Sequence, residues 1–257
     1  MSSSRHDHPE LGPPQLIEVG DGVFACSTER RTRAYLDRIA SVSPAPVTML
    51  VNTHHHGDHT YGNSLFSGAT IIGHENCRAA LIATGPPGNT GIWDPVDWGD
   101  VTLAPPTLTF TQRVRLWSDD RPLEVSYVNG GTPFLLMGSV RGAIDVLTSV
   151  VAPIPAATIV AGHGAPCDHR LIGIVVGYLE FVLATAAKGI DAGLSPLDLA
   201  RQVDLGEYAE WLDSERIVGN LHRAYADLGA AKPDVDVVAA LRDMVEYNHG
   251  QPLSCFA

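Results

Sequence analysis

The segment from His54 to His59 places four histidines and one aspartate within six positions, and three of the histidines and the aspartate follow the order HxHxDH. It directly follows the apolar run Val47 to Val51, which is typical of a buried strand. Imidazole and carboxylate groups are both good zinc ligands, and few structural needs explain so many of them in one place. The pattern therefore predicts a metal site on a loop at the end of a strand.

Two less specific interpretations of this segment stay open. It can be a polar loop that happens to be rich in histidine, or the start of a helix that Asp58 caps. The cluster by itself does not say what a metal ion would do there.

The spacing divides the ligand-type residues of the cluster into two sets. His54 and His56 alternate on an extended segment, so both can face one ion. Asp58 and His59 lie on the other side of Gly57 and can turn to a second ion. The sequence thus allows one or two metal ions at this loop.

A further histidine of the same kind stands much later in the chain. The apolar run Ala157 to Ala161 leads into Gly162-His163-Gly164, again at the end of a predicted strand. Such strand ends converge in layered α/β folds, so we expect His163 to complete the ligand set. The interleaved His55 is expected to point away. The remaining central and C-terminal histidines are expected to be structural or at the surface: His74, His169, His222 and His249.

Strands and helices are predicted to alternate in the first part of the chain, after a polar, proline-bearing leader at residues 1–15. The predicted βαβα order consists of a strand at 16–25, a helix at 27–40, a strand at 47–51, a helix at 60–66, an apolar run at 69–73 and a helix at 75–83. Three more strands are predicted near 107–110, 114–117 and 123–128. Beyond Pro166 we predict helices at 171–188, 196–201, 208–228 and 235–247.

A long connection from Gly85 to Pro106 is rich in glycine, proline and aspartate and carries Trp93 and Trp98. Loops of this length are often lids over a site, and the two tryptophans would suit a flat aromatic ligand. The alternative is a surface loop whose tryptophans are pinned into the domain. The sequence leaves both interpretations open.

Composition limits the partners and the compartment. The 257 residues carry a net charge of −12, which disfavours nucleic acid and anionic membrane surfaces as partners. We identify no secretory signal and no apolar stretch of membrane-spanning length, and therefore expect a cytoplasmic protein. The four cysteines lie far apart and are expected to be reduced.

The HxHxDH motif after one strand, with Gly-His-Gly after a later one, resembles the metallo-β-lactamase-fold hydrolases. The resemblance implies an α/β fold, a metallo-β-lactamase-like αββα sandwich with a helical C-terminal extension. It implies a site for two zinc ions whose ligands match His54, His56, Asp58, His59 and His163. It also implies that Asp58 positions the attacking water, and that the catalytic domain covers residues 16–169, with a helical region at 170–257 packed on it.

Other motifs are similar to those of the actinorhodin-type thioesterases and cyclases of aromatic polyketide biosynthesis. These motifs are Val51-Asn52-Thr53-His54, Gly131-Thr132-Pro133-Phe134, Gly138-Ser139-Val140, Asn220-Leu221-His222-Arg223-Ala224 and the ending from Tyr247-Asn248 to Cys255. The resemblance implies ring closure or release of a polyketide thioester held on an acyl carrier protein, in antibiotic biosynthesis. Carrier proteins are acidic, so docking would need a local basic patch at Arg30, Arg31 and Arg33, or at Arg113 and Arg115. A homodimer stays an open alternative.

Two features depart from the pattern of these enzymes. Their third ligand to the first zinc, a histidine in a His-Thr turn, and a later bridging aspartate have no match here, and Asp145 is a poor substitute. Abrupt joins at 25/26 and 128/129 each correspond to the loss of about ten to twenty residues, or two strands. We therefore expect the natural protein to carry residues that this sequence omits. If the sequence is literal, only Asp58, His59 and His163 form a three-ligand set, and a one-zinc site or an inactive relative is favoured.

Three functions thus stand at this point. The first is a zinc-dependent thioesterase and cyclase acting on a carrier-bound aromatic polyketide. The second keeps the fold and hydrolyses another ester, thioester or lactone, because this fold hosts many reactions. The third is a binding protein that has lost metal ligands and catalysis.

Overall fold

The computed structural model describes residues 15–20, 23–27, 32–88, 91–94, 98–128, 134–163 and 165–253. The chain starts with an antiparallel hairpin, β1 (Gln15–Gly20) and β2 (Val23–Ser27). The single strand predicted at 16–25 is therefore wrong, because Gly20-Asp21-Gly22, a typical turn composition, divides it. The first helix, α1 (Thr32–Val42), begins later than predicted, since Ser27 still belongs to β2.

A three-stranded parallel sheet carries the predicted metal-binding loop. It consists of β3 (Met49–Val51), β4 (Thr70–His74) and β5 (Leu108–Phe110), with β4 in the centre. Helix α2 (Gly57–Thr60) and helix α3 (Glu75–Thr84) connect these strands, which confirms the βαβα order. The helix predicted at 60–66 is wrong: α2 ends at Thr60, and a separate 3₁₀ turn follows at Asn63–Leu65.

A second antiparallel hairpin follows the parallel sheet. Strands β6 (Arg113–Ser118) and β7 (Arg121–Ser126) pair along their whole length, and Asp119 in the turn has a φ of 51°. The described strands thus form three separate sheets of two, three and two strands. These strands are few and short for the two facing sheets of a sandwich.

The C-terminal region is helical, as predicted. Helix α4 (Val140–Val146) continues into a π-helical turn at Leu147–Val151, and α5 (Arg170–Asp191), α6 (Pro196–Ala200), α7 (Arg216–Asp227) and α8 (Val237–Tyr247) follow. The helix predicted at 208–228 is wrong in its first part, because a 3₁₀ turn at Gly206–Glu210 precedes α7. The strand predicted at 157–161 is also wrong: Pro155 and Pro166 flank a single bridge between Ile159 and Cys167.

The apolar core of the described residues lies almost entirely in the C-terminal region. Twenty-three of its buried apolar side chains belong to residues 134–253, and four belong to residues 15–128. On α5, the buried residues recur at helical spacing, as Ile172, Val175, Leu179, Val182 and Ala186 do. Helices α5 and α7 therefore form the packed centre of the molecule.

Helix α5 also meets a simple test for a membrane span. Its 22 residues have a mean hydropathy of 1.7 over the most apolar window, and 39% of that window is buried in the protein. The expectation that the chain has no apolar stretch long enough to span a membrane is therefore wrong, since α5 has both the length and the composition of such a stretch. A helix at the centre of a protein core passes the same test, so this observation is weak evidence for a membrane.

The domain boundaries stay predictions. The leader at 1–15 lies outside the described residues except for Gln15, which starts β1. The join at 25/26 falls inside β2, and residues 129–133, next to the second join, are outside the described part of the chain. An intact mass clearly above 27.4 kDa would confirm that residues are omitted, and a mass at this value would contradict it.

Candidate metal centre

The histidine cluster lies at the carboxyl end of β3, as the sequence predicts. His54 and His55 form the loop after this strand, and α2 begins at Gly57. His56 is the N-cap residue of α2, and its side chain makes no capping hydrogen bond. Asp58 therefore lies inside the first turn of α2 and is not the cap that the alternative interpretation requires.

Buried polar side chains hold the backbone of this turn. Asn52 donates from Nδ2 to the carbonyl of His59 (3.1 Å) and pairs with Asn63 through two amide hydrogen bonds of 2.9 and 3.0 Å. The hydroxyl of Thr60 donates to the carbonyl of His56 at 2.8 Å. Because these groups are buried, their hydrogen bonds are costly to break, and the turn has a defined shape.

Asp58, His59 and His163 bring three ligand atoms together. Oδ2 of Asp58 lies 3.0 Å from Nε2 of His59 and 3.2 Å from Nε2 of His163, and the two Nε2 atoms are 3.2 Å apart. Asp58 and His59 are half-buried, with side chains 16% and 17% exposed, whereas His163 is 65% exposed. Within the described ranges, this is the one group of three ligand-type side chains that could hold a metal ion.

The triangle of ligand atoms fits a zinc ion. Ligands on the corners of a tetrahedron, each about 2.0–2.1 Å from zinc, are about 3.3 Å from one another. The observed separations of 3.0–3.2 Å are close to that value. A single N–H between the two Nε2 atoms makes one of them a donor and the other an acceptor. A cation inside the triangle could instead accept a lone pair from each of the three ligand atoms. One corner of the tetrahedron stays open.

Electrostatics hold Asp58 in the form that binds a metal ion, whereas they favour the protonated form of His163, which must lose its proton to bind one. Burial raises the pKa of Asp58, but hydrogen bonds from His163 and His59 outweigh burial and hold that pKa well below its usual range. The hydrogen bond to Asp58 raises the pKa of His163, against burial and the nearby charge of Arg216. Asp58 is therefore ionised, which is the state that binds a cation.

His54, His55 and His56 lie beside this triangle without forming a second one. The ring centroid of His54 lies 4.1 Å from that of His59 and 4.6 Å from that of His56. Burial and the charges of His59 and His56 lower the pKa of His54 to about 4, so its ring is neutral at pH 7. Burial also lowers the pKa of His56 and of His55. The structure thus gathers all the predicted histidine ligands, and it joins only Asp58, His59 and His163 through their ligand atoms.

The two tryptophans of the long connection have separate surroundings. Trp93 forms a bridge with Leu253, and the guanidinium of Arg216 lies 5.0 Å from its ring centroid. Trp98 contacts Tyr61 edge to face, with ring centroids 5.2 Å apart. Trp93 is therefore pinned to the C-terminal region, as the surface-loop interpretation proposes, whereas Trp98 lies next to the metal-binding turn. A contact of either residue with substrate stays a prediction.

The other residues weighed from the sequence lie outside the triangle. His74 caps α3 and pairs through Nε2 with the carbonyl of Thr111 at 2.8 Å, so its role is structural as expected. His222 pairs with Asp243 at 2.8 Å, and is more than a surface residue. Asp145 is exposed on α4. Tyr61 and Asn63 were not singled out by sequence, because only the fold brings them against the turn.

Comparison with known proteins finds a family match for the first half of the chain. Residues 21–119 match the family model of the Metallo-beta-lactamase superfamily. This match spans less than half of the chain and contains the whole histidine cluster, but ends before His163. Residues 21–119 are thus similar to a metallo-β-lactamase domain, and the mixed structure with several C-terminal helices confirms the predicted α/β fold class. Members of this superfamily are mostly hydrolases and usually bind zinc. Among curated proteins, none matches the chain.

Proposed function

We propose that this protein is a zinc-dependent hydrolase that releases or cyclises an aromatic polyketide held as a thioester on an acyl carrier protein. The single observation that carries the hydrolase assignment is the triangle of Asp58, His59 and His163 in a metallo-β-lactamase domain. The polyketide substrate rests on the sequence motifs that this chain shares with actinorhodin-type enzymes.

The residues of the centre have distinct tasks in this proposal. A bound zinc ion supplies a Lewis acid that polarises a carbonyl group and lowers the pKa of water. His59 and His163 would hold the ion through Nε2, and Asp58 would hold it through Oδ2. The second oxygen of Asp58 is then available to accept a hydrogen bond from the attacking water and fix its direction. The exposed position of His163 leaves the centre accessible to a large acyl chain.

The number of metal ions follows from the ligands. Two ions would have to share one carboxylate and neutral imidazoles, and His54 and His56 have no third ligand among the described residues. One ion per chain is therefore the stoichiometry that this structure supports. Two ions, as the resemblance implies, would require ligands beyond those that the described residues bring together.

A carrier protein would need a basic surface, and the structure limits where that surface lies. Arg113 and Arg115 project from the same face of the β6–β7 hairpin with exposures of 72% and 60%. Glu124 on the opposite strand pairs with both, so this face carries little net positive charge. The alternative patch lies outside the described part of the structure: Arg30 and Arg31 are not among the described residues, and the side chain of Arg33 is not described.

The proposal is tested by metal analysis and thioester turnover in the same preparations. We expect about one zinc ion per chain. Chelation, or the substitution His163→Ala, should lower the rate of thioester hydrolysis by about 10²–10³-fold. His169→Ala, an unrelated histidine at the start of α5, is the control and should retain activity. Thioester turnover that survives chelation would contradict the metal mechanism.

Two outcomes would favour the other functions. Faster turnover of simple thioesters or lactones than of a carrier-bound polyketide would favour a general hydrolase of this fold. Less than one zinc per chain, with no hydrolysis of any ester, would favour a binding protein, for which the incomplete ligand set of His54 and His56 is the supporting observation.

A further inference from the structure

We propose that Tyr61 and Trp98 form a brace that holds the turn from His56 to His59 in its metal-binding shape. This inference rests on the metal-dependent function proposed above and adds two positioning residues to it. It gives Trp98 a task at the centre besides the predicted contact with substrate.

The ring of Tyr61 is packed against the turn that carries the ligands. Tyr61 directly follows α2, and its backbone N–H donates to the carbonyl of Gly57 at 2.8 Å. A Cβ atom added at Gly57 would lie only 2.3 Å from the ring, so the ring covers the backbone at this position. The Tyr61 hydroxyl donates to the carbonyl of Gly85, at the end of α3, at 3.3 Å. Tyr61 thus links the turn to α3.

Trp98 is the aromatic neighbour of the Tyr61 ring. The two rings meet edge to face at an angle of 87°, which is a favourable arrangement for aromatic pairs. The segment that carries Trp98 is itself fixed further along, since the carbonyl of Ala104 accepts a hydrogen bond from Asn63 at 2.9 Å. The backbone N–H of Thr107 donates to the carbonyl of Ile71 at 2.8 Å. Trp98 is therefore held by a segment that is anchored to β4.

The same segment reaches the ligand turn by two routes. One route passes from Ala104 through Asn63 and Asn52 to the carbonyl of His59. The other route passes from Trp98 through Tyr61 to Gly57, next to Asp58. Because the two routes approach the turn at different residues, they fix its direction as well as its place. Groups that orient metal ligands in this way typically change metal affinity by about 10–100-fold when removed.

The test measures zinc affinity by equilibrium dialysis in the full-length protein. We expect Trp98→Ala and Tyr61→Ala each to weaken zinc binding by about tenfold or more, with one zinc still bound at saturation. Trp98→Phe keeps an aromatic ring and should restore most of the affinity. The control Trp117→Ala removes a tryptophan that is 58% exposed on the β6–β7 hairpin, and it should bind zinc like the wild type.

A brace also predicts that the two substitutions are coupled. The double variant Tyr61→Ala/Trp98→Ala should bind zinc about as weakly as either single variant, because both interrupt the same route. Additive losses would contradict the brace. A Trp98→Ala variant that binds zinc normally but unfolds at a lower temperature without zinc would also contradict the brace, because the role of Trp98 would then be only structural.

The outcomes separate this inference from the proposed function. If the wild type binds zinc and hydrolyses thioesters while Trp98→Ala has unchanged affinity, the brace is refuted and the function stands. If zinc binds and the affinity falls as expected but no ester is hydrolysed, the brace stands and the hydrolase is refuted. A wild type that binds no zinc overturns both.

Discussion

Tyr178 is a single side chain whose burial makes the stability of the protein depend on pH. Its ring lies at the centre of α5 and contacts Tyr208 and Trp211, and its hydroxyl accepts a hydrogen bond from Asn220 at 3.0 Å. Burial raises the pKa of Tyr178 to about 12, against the opposing effect of the Asn220 hydrogen bond. The folded protein therefore favours the neutral phenol, because the charged form would lose its hydration.

The first prediction follows from the sign of this shift. A group whose pKa is raised in the folded state contributes its full stability below the unfolded value of about 10, and loses that contribution as the pH rises to about 12. The free energy of unfolding of the wild type should thus fall by about 1.4 kcal/mol per pH unit from this residue alone in that window. Urea unfolding of wild type and Tyr178→Phe at pH 9, 10 and 11 measures it. A difference between the two proteins that stays constant over this range would contradict the assignment.

The candidate ligand residues could be named from the sequence because their pattern is local. HxHxDH needs only six consecutive positions, and Gly162-His163-Gly164 repeats the same placement after an apolar run. Tyr61, Asn63 and Trp98 carry no comparable pattern, since their roles arise from contacts across α2, α3 and the long connection. The distinction between three joined ligands and two adjacent histidines likewise depends on atom positions.

At the scale of elements, the start of α4 depends on one carboxylate from α7. Oδ2 of Asp227 accepts hydrogen bonds from the backbone N–H groups of Val140 (2.6 Å) and Arg141 (3.3 Å), and from the hydroxyl of Ser139 (3.0 Å). Its Oδ1 pairs with Arg223 at 3.0 Å, and the side chain of Asp227 is 7% exposed. A negative charge at a helix N-terminus is favourable, so Asp227 joins α4 to α7.

The second prediction concerns this junction. Asp227→Ala leaves the N-cap Ser139 in place but removes the carboxylate that binds the first backbone N–H groups of α4 and pairs with Arg223, and should lower the free energy of unfolding by about 2–4 kcal/mol. Asp145→Ala, at an exposed position of α4 itself, is the matched control and should change stability by less than about 0.5 kcal/mol. Chemical unfolding of both variants provides the measurement. Equal effects of the two substitutions would contradict the capping role.

Helices were easier to predict than strands in this chain, for a physical reason. The helix predicted at 171–188 corresponds to α5, because its apolar residues repeat at the period of a helix along a long segment. The apolar run at 157–161 has the composition of a strand, but a strand also needs a neighbour along its length. Prolines on both sides limit that pairing to the bridge between Ile159 and Cys167, and the apolar composition of the run does not report whether a partner strand is present.

At the scale of the whole molecule, the candidate metal centre connects two regions that differ in packing. Asp58 and His59 belong to the region of residues 15–128, which contributes only four buried apolar side chains among the described residues. His163 lies shortly before α5, in the region that contributes 23. With so small a core, the first region should open more readily than the second, since local stability depends on buried apolar contacts. A metal ion bound by all three ligands would then tie the weaker region to the stronger one.

The last prediction tests this connection by limited proteolysis. Without zinc, trypsin should first cut the region of residues 15–128, for example after Arg113 or Arg115, and leave a fragment that contains α4 to α8. Zinc at 100 times its dissociation constant stabilises the closed form by about 2.7 kcal/mol, so cleavage should slow by up to about a hundredfold when it proceeds through opening. This protection should be lost in His163→Ala, whose ligand is missing from the stronger region, and retained in His169→Ala. Mass spectrometry of the fragments over time identifies the cut sites. If zinc protects His163→Ala as well as it protects His169→Ala, the ion does not join the two regions through His163.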